Sequence, residues 1–251
     1  MFRRFLAVGA FLFVVWWVQF GAVHGSAEGA HTSPPVATAS PRPQAQAPPA
    51  SAATPPGRLP FDRELALGGH FTVVPGHQPP AHGGKRGRGL RYRVDVENGL
   101  AAKGLDGGYV ASFVHRTLND PRSWSHEDGV SFERVSGGRV DFVVTLASPG
   151  TVDAWCAGAG LDTSDQTVSC DAHNTERVMV NAYRWAQGSP TYGDDMLGYR
   201  QMVVNHEVGH RIGHGHELCA VDGASAPVMM QQTKTLTSGT ATCRPNPWPH
   251  P

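Results

Sequence analysis

Between Arg91 and Glu97 the chain alternates: Tyr92, Val94 and Val96 fall on one side, Arg93, Asp95 and Glu97 on the other. A period of two predicts a strand with one buried face and one wet face. From Gly107 to Asn119 the spacing changes. Val110, Phe113, Val114 and Leu118 recur at helical intervals, and Pro121 stands just past the end. That pattern predicts a helix. Val130–Val135 and Arg139–Ala147 read as strands joined in a hairpin by Ser136-Gly137-Gly138. Phe71–Val74 and Thr167–Cys170 read as short strands, and alternation returns over Arg177–Trp185. Asp194 or Asp195 then offers an N-cap to a helix running to about Ile212. Strands interleaved with two main helices predict an α+β fold.

The N-terminal quarter has a different character. Met1-Phe2-Arg3-Arg4 is basic, and the stretch that follows to Val23 is apolar apart from Gln19. This reads as an export signal over 1–25. Two outcomes fit: cleavage near Gly25 or Ala27, or retention as a membrane anchor with the folded part outside. Residues 26–60 are rich in Pro, Ala, Ser and Thr and bury too little to fold, so a disordered linker is expected there. Residues 61–251 remain as one domain, expected to be extracellular and monomeric. The chain has 21 basic and 21 acidic residues and no long basic run, which speaks against a nucleic-acid partner.

Four cysteines, Cys156, Cys170, Cys219 and Cys243, lie in the exported part, and none forms a C-x-x-C pair. Outside the cytosol they predict two disulfides. Of the three possible pairings the neighbours are favoured, Cys156 with Cys170 and Cys219 with Cys243. The second would staple the tail to the chain just after His216.

The chemistry lies in His206-Glu207-Val208-Gly209-His210-Arg211-Ile212-Gly213-His214-Gly215-His216. Residues four apart share a helix face, so His206 and His210 can aim at one ion. Glu207 sits about 100° further round, within reach of a water beside that ion but not of the ion itself. Gly213 falls where the chain must leave the helix, a position that favours left-handed backbone. The turn returns His216 as a third ligand. Three protein ligands leave one position open, the arrangement of a catalytic zinc site. In a chain with 13 histidines a bare His-Glu-x-x-His would be weak; Gly213 and His216 make the pattern specific. His214, between the fixed positions, reads as an exposed turn residue. Gly209 costs about 1 kcal/mol of helix propensity relative to Ala, which suggests close approach by another backbone.

This run fits H-E-x-x-H-x-x-G-x-x-H and resembles the signature of the metzincin zinc peptidases. Those enzymes carry a methionine turn beneath the metal. Ala226-Pro227-Val228-Met229-Met230 resembles it, with Met229 favoured over Met230. The wider chain is similar to a family of secreted actinobacterial proteins known as a domain of unknown function. The similarity runs through Phe71–Gly76, Asp120–Trp124, Thr145–Pro149, Val204–His210 and Cys243–Pro249.

The metzincin resemblance implies a mixed twisted sheet with two helices in an N-terminal lobe, and a small irregular, disulfide-held lobe after Gly213. It also implies one catalytic zinc ion on His206, His210 and His216, with Glu207 as base. Some metzincins add a tyrosine after the methionine turn; this chain has none there. The expected partner is a protein or peptide substrate, with cell-wall peptide as one option. An extended substrate would pair with an edge strand, sought in Val130–Val135 or Arg139–Ala147. The rival expectation is a cell-surface binding module stabilised by metal that cleaves nothing.

Overall fold

A computed structural model describes residues 57–81, 87–125 and 130–251. The 1–25 segment and the linker up to residue 56 lie outside the described residues. The fold already engages the last residues assigned to the linker, because the Leu59 N–H donates to the Ala186 carbonyl at 3.0 Å. Among the described residues no helix is long and apolar enough to cross a membrane.

The fold is α+β. Its centre is a six-stranded mixed sheet of β1 (Phe71–Val73), β2 (Arg88–Glu97), β3 (Val130–Arg134), β4 (Phe142–Ala147), β5 (Cys170–Asp171) and β6 (Arg177–Asn181). The main path runs β1-β2-β4-β6-β5, with β3 also on β2. Strands β2, β4 and β6 are parallel, while β1 and β5 run antiparallel at the ends of the path. The helices are α1 (Gly107–Leu118), α2 (Pro149–Gly158), α3 (Ala182–Gln187) and α4 (Met196–Arg211).

Two predicted helices stand where the pattern placed them. In α1 the Asp106 carboxylate caps the first turn by accepting from the Tyr109 N–H at 2.6 Å. In α4 it is Asp195, not Asp194, that accepts from the Gly198 N–H, at 2.8 Å. Two further helices were missed. Pro149 at the first turn of α2 lacks the N–H that this position leaves unpaired anyway, so it starts the helix rather than breaking one. At the end of β6 the Asn181 side chain accepts from the Tyr183 N–H at 3.0 Å and opens α3. The predicted strand Arg177–Trp185 therefore ends at Asn181. The strand expected over Thr167–Cys170 forms only at its end, as Cys170–Asp171.

The predicted hairpin is absent. Both β3 and β4 run parallel to β2, paired with its successive halves Arg88–Tyr92 and Tyr92–Val96. Carbonyls alternate between the two edges of a strand. The Tyr92 carbonyl accepts from Val135 and that of Arg91 from Asp141, so the Ser-Gly-Gly segment carries the chain from one edge of β2 to the other. The predicted wet face of β2 is buried as well. Asp95 and Glu97 are only 2% and 1% exposed. Both are paired: Asp95 with Arg93 and Arg177, and Glu97 with the Gly69 and Ser148 N–H groups and the Thr151 hydroxyl.

Both disulfides form between neighbours, Cys156–Cys170 and Cys219–Cys243. The first joins α2 to edge strand β5. The second closes the irregular C-terminal region, which holds only two-residue strands, β7 (Thr237–Ser238) and β8 (Ala241–Thr242). Cys219 and Cys243 pack with Ala226 and Met230 in a small cluster of their own. Helix α4 lies over β5 and β6.

Candidate metal centre

Helix α4 ends in a Schellman motif. Gly213 takes φ 109°, its N–H donates to the His210 carbonyl, and the His214 N–H donates to Gly209. Local backbone physics thus turns the chain after one last helical residue and returns it along the helix end. The three imidazoles meet as a result: the ligand nitrogens of His206, His210 and His216 lie within 4.8 Å of one another. Nε2 of His210 is 3.2 Å from Nε2 of His206 and 3.1 Å from Nε2 of His216.

Tautomers follow from the outer nitrogens. Nδ1 of His206 meets the Val228 carbonyl at 2.9 Å, and Nδ1 of His210 meets the His214 carbonyl at 2.9 Å. A carbonyl only accepts, so both Nδ1 atoms donate and both Nε2 atoms present bare lone pairs. Lone pairs facing each other repel, and a shared cation removes that repulsion. Nitrogens bound at about 2.0–2.1 Å around a tetrahedral zinc stand about 3.3 Å apart, close to the spacing here. The residues present fit a metal ion, and the all-imidazole donor set suits zinc among other transition metals.

Pro227–Met230 forms the turn beneath, closed by the Met230 N–H on the Pro227 carbonyl at 2.9 Å. Its Val228 carbonyl is the one that orients His206. Met229 is fully buried in the main core, whereas Met230 belongs to the disulfide cluster. Gln232 and Asn246 lace the turn to the tail: Gln232 Nε2 donates to the Pro227 and Asn246 carbonyls, and Asn246 Nδ2 to Ala226.

The need for Gly209 comes from side chains, not from a backbone. A Cβ there would fall on Met229 Sδ and within 2.8 Å of Trp124 Cζ2. Trp124 cannot easily retreat, because its indole N–H donates to the Asn205 carbonyl at 2.9 Å. Gly209→Ala should therefore destabilise the fold by about 1–2 kcal/mol, since overpacking outweighs the gain in helix propensity. Urea unfolding of both proteins checks this; equal or greater stability in the variant would remove the packing argument.

Several contributors escaped sequence reading. His214 is half-buried rather than exposed: its ring stacks on Trp124 at 4.2 Å, and its carbonyl fixes His210. Asn205 is fully buried, accepts from the Ser123 hydroxyl and donates to the Pro247 carbonyl. Arg211 pairs with Asp171 and donates to the Thr175 and Arg177 carbonyls, tying the helix end to β5 and β6. The only available signals were adjacency to the histidines and the Asp120–Trp124 stretch.

A cavity of about 330 Å³ opens at the three histidines, walled by the chain from Leu161 to His173 on one side and Gln231 to Lys234 on another. The edge that borders it is β5, not β3 or β4. Strand β4 lies inside the sheet between β2 and β6, and β3 pairs with β2 and is bridged at Arg134 by Gln78. The Ala172 N–H donates to Arg177 across β6, so Cys170 and Ala172 face β6 while Ser169 and Asp171 turn their backbone groups away from it.

Glu207 is 6% exposed and lines the same cavity. In the metal-free protein, burial, reinforced by the Asp171 carboxylate, pushes its carboxyl up to about 8, against the opposing pull of Lys234 and a backbone hydrogen bond from Asp171; a cation on the three histidines would pull it back down. Burial pushes His206 down to about 3. Burial also raises Asp171 and lowers His216. In chelator-treated protein the signs are opposed. Glu207 is raised, so its contribution is present below pH 4.5 and is lost as pH rises through about 8. His206 is depressed, so its contribution is present above pH 6.5 and is lost as pH falls toward 3. Metal-free stability should thus fall on either side of a plateau near pH 4.5–6.5, each group giving at most about 1.4 kcal/mol per pH unit. Denaturant titrations at pH 4, 5.5 and 8 check this. An alkaline limb that persists in Glu207→Gln would contradict the assignment.

Residues 60–251 match the family described as Protein of unknown function (DUF3152), and the chain belongs to that family. No curated protein and no solved structure matches the chain.

Proposed function

We propose that this protein is a zinc-dependent peptidase of metzincin type, acting on protein or peptide substrates outside the cytoplasmic membrane. One observation carries the reading. Three imidazoles converge on a single point, with a buried carboxylate next to them in an open cleft. A purely structural site needs no base and no cavity. Two disulfides fit an oxidising compartment.

His206, His210 and His216 would hold the ion. When bound, zinc polarises a carbonyl and brings the pKa of water toward 7. Glu207 accepts a proton from the attacking water as its oxygen bonds to the carbonyl carbon and the C=O π pair moves to the carbonyl oxygen. That pair then returns, the C–N bond breaks, and Glu207 delivers the proton to the leaving amine. The outward backbone of Ser169, just before β5, gives an extended substrate a place to pair beside the cleft.

The test is hydrolysis of a denatured protein mixture by the whole chain, with and without chelator. Cleavage that stops on chelation and returns with zinc supports the reading. No cleavage by metal-loaded protein favours the non-catalytic binding module.

A further inference from the structure

The peptidase reading leaves open what the cleft selects, and this inference rests on that reading. Besides the histidines, the charged residues that border the cavity are Asp162, Asp171, Glu207 and Lys234. Three of the four are committed. Asp171 is paired with Arg211. Asp162 accepts from the N–H and the hydroxyl of Ser164. Glu207 is buried beside the metal ligands. Lys234 is exposed, and among the described residues no carboxylate stands at ion-pair distance from it.

Its place in the wall is set by its backbone. The Lys234 N–H donates to the Gln231 carbonyl at 2.9 Å, in the wall that continues from the methionine turn. From there its charge is felt by His206, Glu207 and His216, and by Asp162 across the cavity, beyond ion-pair distance. Leu161, Val168, Met202 and Val203 supply apolar wall that cannot distinguish one charge from another. Among the described residues Lys234 is the one lysine or arginine on that wall, and with Asp162 held by Ser164 rather than in an ion pair it still attracts anionic groups. We propose that Lys234 is a specificity-determining residue that holds a substrate carboxylate beside the scissile bond, from an acidic side chain or from the free C-terminus of a peptide.

Binding to a non-cleaving form separates this from catalysis. The whole chain carrying Glu207→Gln, loaded with zinc, is titrated calorimetrically with blocked six-residue peptides that differ at one position: Glu, Gln or Lys. A fourth peptide is the Gln version with a free C-terminus. The Glu peptide or the free-carboxylate peptide should bind about fivefold tighter than blocked Gln, and Lys weaker, at the upper end of an exposed ion pair. Which of the two leads identifies the source of the carboxylate. Lys234→Met should level the series and Lys234→Glu should invert it; neither change disturbs a buried contact, because Lys234 is exposed. Peptides that bind with no charge order, or an order unchanged in Lys234→Glu, overturn the role of Lys234 and leave the peptidase reading standing. Failure of all peptides to bind, together with a wild-type chain that cleaves nothing, overturns both.

Discussion

Replacing Glu207 with alanine should leave zinc bound and reduce peptide hydrolysis by about 10²–10⁴-fold, the usual contribution of a positioned general base. The two parts of that expectation separate because the residue adjoins the ligands without being one. His206, His210 and His216 supply the converging nitrogens, and Glu207 is not among them. Its carboxyl is buried at the edge of the cavity, where no bulk water substitutes for it. Glu207→Gln keeps the shape and removes proton acceptance, so it should be as inactive as the alanine variant. Zinc content and kcat measured on the same samples decide the matter. Hydrolysis at the wild-type rate in either variant would remove Glu207 from the mechanism.

The second large effect belongs to His210. Its Nε2 contacts the Nε2 atoms of both His206 and His216, so it is the middle of the trio. His210→Ala should weaken zinc binding by about 10²-fold or more, taking roughly 3 kcal/mol per ligand from the binding energy of a four-ligand zinc site. Activity at micromolar zinc should vanish with it. The fold should survive, because the Schellman turn depends on the backbone of His210 and on Gly213 rather than on the imidazole. Competition with a chromogenic chelator gives the affinity, and circular dichroism checks the fold. Unchanged affinity would exclude His210 as a ligand.

The site was more legible than the fold, for a physical reason. The spacing of His206 and His210, the φ of Gly213 and the return of His216 are all consequences of one helix and its end. They are written within eleven consecutive residues. The pairings Cys156–Cys170 and Cys219–Cys243 were likewise close in sequence. What could not be read depends on distant chain. Whether β3 and β4 form a hairpin or straddle β2 is decided by competition for the two edges of β2. Asp95 and Glu97 look like surface residues until the partners on Arg177, Ser148 and Thr151 are known. Helix α2 was hidden by Pro149 and Gly150, although the proline sits at the one turn that tolerates it. Ser123 and Trp124 brace helix α4 at Asn205 through contacts some 80 residues apart in sequence. No local pattern announces such contacts, and the position of Lys234 in the cleft wall was invisible for the same reason.

X-ray absorption at the zinc edge of the purified whole chain tests the central claim most directly. The account predicts one ion per chain with three imidazole nitrogens at about 2.0–2.1 Å and light-atom donors completing the shell. A protein that binds no ion, or an ion surrounded by fewer than three imidazoles, would contradict it.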